Sequence, residues 1–67
     1  MLDIKNLEKV VGNLKEGIVE YEKDVLQNII DNCRNEIANA TSEDIENNKH
    51  YYKLCSEAYG YALVKLK

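Results

Sequence analysis

Proline, phenylalanine and tryptophan are absent from this chain of 67 residues, glycine occurs three times and cysteine twice. Without proline, no residue forbids a helix from running on, so helix ends have to be read from caps and glycines instead. Two cysteines, Cys33 and Cys55, are too few for a disulfide framework. With a single histidine, His50, they do not make a zinc-site spacing either. No metal site and no cofactor motif is therefore expected. A basic excess is also missing: the net charge is -3. That argues against binding a nucleic acid polymer or an anionic membrane surface, where positive charge supplies the affinity. Residues Met1 to Asn6 lack the basic and apolar regions of a secretory signal. No stretch approaches the roughly 18 apolar residues of a membrane span. The expected setting is the cytoplasm, which suits two unpaired thiols.

What remains is the vocabulary of helices: Glu, Lys, Asn, Ile and Leu, with 45% hydrophobic and 31% charged residues. One arginine among many lysines and asparagines is the signature of an AT-rich bacterial or phage genome. A chain this short is a single domain, 1–67, that buries only about 60% of its unfolded surface. With disulfides and metals excluded, self-association is the expected source of further stability.

From Leu7 the apolar positions Val11, Leu14, Ile18, Tyr21, Val25, Ile29, Cys33, Ile37 and Ala40 follow at steps of three or four. Their mean step is about 3.67 residues, a helical stripe nearer an eleven-residue repeat than a heptad. Asp3 is the expected N-cap, with Leu2 and Leu7 flanking it as a hydrophobic staple. The stop falls at Asn39-Ala40-Thr41-Ser42, where Thr41 and Asp44 have capping-box spacing. The expected fold is all-α: an antiparallel hairpin of a long helix about 4–39 and a second helix about 43–66, assembling into a four-helix or larger bundle. Gly12 and Gly17 each cost roughly 1 kcal/mol inside a helix. The alternative is therefore a three-helix bundle with a break near Gly12–Gly17.

The two helices of such a hairpin have unequal lengths. With the turn centred at Ala40 and Thr41, Lys67 comes level with Leu14, and the overhang carries Leu2, Ile4, Leu7, Val10 and Val11 uncovered. An apolar patch of that kind calls for a second copy or another protein. In the same register Cys33 and Cys55 lie about 10 Å apart, too far for a bridge.

No catalytic residues are expected. His50 has no orienting acid or nucleophile at a recognisable spacing, and Arg34 and His50 sit on different expected helices. Glu16, Glu20 and Asp24 make a solvated acidic face rather than a metal site. The sharper chemical pattern is aromatic and basic. Residues 1 to 48 hold five basic and eleven acidic side chains, whereas 49 to 67 hold four basic and one acidic. Lys49, His50, Tyr52, Lys53 and Tyr59 form a strip that could grip a phosphorylated ligand across a subunit interface. Two functions follow as expectations. One is a non-enzymatic oligomeric binding or inhibitory protein acting through helix-mediated contacts with another protein; the other is sequestration of a small phosphorylated signalling nucleotide by the tyrosine-lysine strip.

Overall fold

The computed structural model describes all residues, 1 to 67, and is all-α: α1 (Ile4–Glu16), α2 (Lys23–Ala38), α3 (Ser42–Asn47) and α4 (Lys49–Leu66). Helix α1 starts where the cap predicted it, with the Asp3 carboxylate accepting the Lys5 N–H at 3.0 Å. It does not continue to residue 39. Gly17 adopts φ 68 and ψ 25, a left-handed conformation that glycine enters without the Cβ penalty. The Ile18 N–H then folds back onto the Asn13 carbonyl at 3.2 Å, a Schellman-type end. The continuous rod is thus corrected to two helices separated at Gly17, the alternative break. The linker that follows is held by the Asn13 side-chain amide, which donates to the Tyr21 hydroxyl at 3.0 Å.

The break resets the helical phase. In α1 the buried positions are Leu7, Val11 and Leu14; in α2 they are Leu26, Ile30 and Cys33. Ile18 and Val25, which carry the three-four spacing through the sequence, are 68% and 40% exposed. The second expected helix is also divided. Thr41 and Asp44 form the capping box, each backbone N–H bonded to the other side chain at 3.1 Å. Asn48 then departs from helical geometry (φ -135, ψ 47) while its amide bonds back to the Asp44 carbonyl. An asparagine side chain that competes for a helix carbonyl is a known local route to such an interruption.

Helix α4 is the centre of the molecule. It packs along both α1 and α2 and touches α3, whereas α1 and α2 do not approach backbone to backbone. Close packing on α4 follows from its inward residues, since Cys55, Ala58 and Ala62 are small and fully buried. Around them lie two apolar clusters: one joins Leu7, Val11, Cys33, Tyr51 and Leu54, the other Leu14, Leu26 and Ile30. The insertion of α3 lengthens the connection between α2 and α4 and moves their register by about two turns. Cys33 and Cys55, expected far apart, consequently share one cluster as free thiols. No helix is long and apolar enough to cross a membrane.

Candidate protein-docking trough

The overhang does not exist once α1 ends at Gly17. Leu7 and Val11 are core residues covered by the chain itself, Leu2 packs against the same cluster, and Val10 packs against the second. Only Ile4, 38% exposed, stays at the surface. Of these five residues the chain itself therefore covers Leu7 and Val11 fully and Leu2 and Val10 in part, so they do not form an uncovered patch.

Four of the five strip residues remain together. Lys49, Tyr52 and Lys53 occupy positions i, i+3 and i+4 of α4 and line one depression of about 400 Å³, floored by Ile37 of α2 and Ile45 of α3. Tyr59, two turns further along α4, lines an adjoining depression of about 270 Å³ with Arg34, Ala38 and, again, Ile37. Ile37 lines both, and the two depressions that adjoin at it make up the trough. His50 does not belong to it. One residue on from Lys49 is a rotation of about 100°, and the imidazole lies instead beside α1, 3.6 Å from the Glu8 carboxylate.

The trough is apolar at its floor and charged at its rim. Ile45 is 43% exposed, and Ile37, Tyr52 and Tyr59 are half-buried. Lys49 pairs with Glu46 at 3.7 Å, an exposed contact worth little. Lys53 has no ion pair. The Tyr52 phenol is pushed above its ordinary pKa by burial first, then by the charge of Asp44, Glu36 and Cys55. It stays neutral, and its ring is an aromatic wall of the depression. Spacing along α4 reveals Lys49, Tyr52 and Lys53; Ile37 and Ile45 come from other helices, and Ile37 reads in the sequence as part of the apolar stripe.

The opposite side of the same helix turn is closed. Tyr51 is 2% exposed, its hydroxyl accepting the Leu2 N–H at 2.7 Å and donating to the Glu36 carboxylate. Burial, followed by that carboxylate, raises its pKa. The neighbouring Cys33 thiol is pushed up to about 11, by burial and then by Cys55 beside it. Burial also raises Cys55. These groups are protonated at neutral pH and enclosed, which is unlike a reactive thiol. No three His, Cys, Asp or Glu side chains converge as a metal site, and every buried side-chain polar atom has a hydrogen-bond partner. A comparison with protein-family models, curated proteins and solved structures finds no match to this chain.

Proposed function

We propose that this chain is a small binding module without catalytic chemistry of its own, and that its working surface is the trough between α2, α3 and α4. The observation that carries this reading is an apolar floor of Ile37, Ile45, Tyr52 and Tyr59 left partly open beneath the ammonium groups of Lys49 and Lys53. Such a surface suits a segment of a protein partner bearing one or two branched apolar side chains between carboxylates. The apolar side chains fill the floor, and the carboxylates meet the lysines at the rim, where charge favours encounter and register. A cytoplasmic setting and a regulatory or inhibitory role are consistent with so small a binding surface and with two free thiols.

A small phosphorylated ligand is the second reading, because Lys49, Lys53 and Tyr52 do share one depression. It is weakened by the separation of His50 from that group and by the nearness of the Asp44 carboxylate to Tyr52. A titration of isotopically labelled protein, followed by amide shifts, tests the two together. A short peptide carrying Ile-Val between glutamates should shift Ile37, Ile45 and Tyr52, while the same peptide with lysines for glutamates should not. Equal response to both peptides, or a response to a nucleotide alone, would remove the docking reading.

A further inference from the structure

Resting on that reading of the trough, we infer that its occupant is a second copy of this chain, through the linker segment Gly17–Glu22. Ile18 and Val19 are 68% and 41% exposed in this segment. They stand between Glu16 on one side and Glu20 and Glu22 on the other, and none of these carboxylates has an ion pair. Two branched apolar side chains flanked by free carboxylates are the complement of an apolar floor edged by Lys49 and Lys53. The segment is also held in place by the Gly17 turn and the Asn13–Tyr21 hydrogen bond. Docking it costs less ordering entropy than a free loop would.

The contact has to be made between copies. The linker precedes the first residue of α2, whereas Ile37 and Ala38 of the trough stand at that helix's far end. About 20 Å of helix keeps the two apart within one chain. The arrangement inferred is a twofold axis that lays two copies antiparallel, with each linker seated on the other's trough. Both contacts are then equivalent, and the assembly closes as a dimer. Size agrees with this. The folded chain exposes 4808 Å², against about 4300 Å² for a compact monomer of its mass. Its broadest face, 34 × 18 Å, limits a flat contact to about 600 Å² a side, the lower end of the range for specific interfaces. A weak, salt-sensitive dimer follows, because its rim contacts are exposed charge pairs.

Sedimentation equilibrium of the full chain across a concentration series tests this, with circular dichroism to confirm that each variant keeps its helices. The wild type should approach twice the chain mass. Ile18→Glu with Val19→Glu should weaken association by about tenfold or more, as should Lys49→Glu with Lys53→Glu. Adding Glu20→Lys and Glu22→Lys to the latter pair should restore the dimer. A monomer at every concentration overturns the inference, as does a dimer indifferent to both sets of changes. If the chain is monomeric and the glutamate-flanked peptide still shifts Ile45 and Tyr52, only the identity of the occupant fails and the docking surface stands. If neither contact is seen, both fall.

Discussion

Tyr51 and Tyr52 are consecutive, their rings meet edge to face with centroids 5.0 Å apart, and they serve opposite sides of α4. Tyr51 points into the molecule, where its hydroxyl ties the start of the chain to Glu36 of α2. Tyr52 opens onto the trough. One helical step of about 100° therefore separates the side of α4 that holds the fold from the side left open at the trough, the proposed docking surface. Stability and binding should consequently respond to different substitutions on the same helix and its neighbours.

The sharpest contrast is between isoleucines. Ile30 is 3% exposed and Ile45 is 43% exposed. Ile30→Ala should cost about 2–5 kcal/mol, enough to unfold much of so small a domain, whereas Ile45→Ala should leave the urea midpoint almost unchanged. Comparable losses would mean that the trough is part of the core.

Alkaline titration should follow in size. Cys33 has its pKa raised from 9.0 to about 11, so the folded chain keeps a proton that the unfolded chain releases. Above pH 9 the unfolded state then gains by deprotonation. The contribution is fully present below about 9 and is lost as pH rises toward 11, by about 2 kcal/mol. Urea unfolding from pH 8 to 11 should show this decline, and Cys33→Ala should reduce it, with Cys55 first and then the two tyrosines accounting for what slope remains. Identical slopes in the two proteins would assign the decline to other groups.

Next come the tyrosines themselves. Tyr51→Phe strands the Leu2 N–H and removes the donor to Glu36, a loss of about 1–3 kcal/mol. Tyr52→Phe should stay within about 0.5 kcal/mol. Equal effects would erase the distinction between the two sides of α4.

The parts of this fold that were legible in the sequence are the local ones. Asp3 and the Thr41–Asp44 box act within one turn, so spacing alone identifies them, and both caps form as read. The apolar stripe misled at Ile18 and Val25 because spacing by three and four records where a helix could bury residues, not whether the backbone stays helical between them. Asn48 and α3 then set the register of α4 against α2, which no local pattern encodes, and this is why Cys33 and Cys55 meet. For the trough, the i, i+3, i+4 spacing was enough to group Lys49, Tyr52 and Lys53. The same arithmetic excludes His50, which lies one residue and about 100° on from Lys49. Ile37 and Ile45 enter only through tertiary packing.

Two glycines give the smallest and most direct test of the break. Gly12 lies inside α1 with open space where a Cβ would go, so Gly12→Ala should stabilise by about 0.5–1 kcal/mol through propensity and unfolded-state entropy. At Gly17 space is not limiting either, since only the Lys65 ammonium nitrogen lies near, 3.9 Å from a built Cβ. There the positive φ decides, and Gly17→Ala should destabilise by about 1–2 kcal/mol. Opposite signs from the same substitution five residues apart would locate the turn by backbone conformation alone. If Gly17→Ala instead stabilised the chain and raised its helix content, residues 17 to 22 would be continuing the first helix. Ile18 and Val19 would then lose the non-helical presentation on which the proposed docking depends, and Leu7 and Val11 would again need cover from outside the chain.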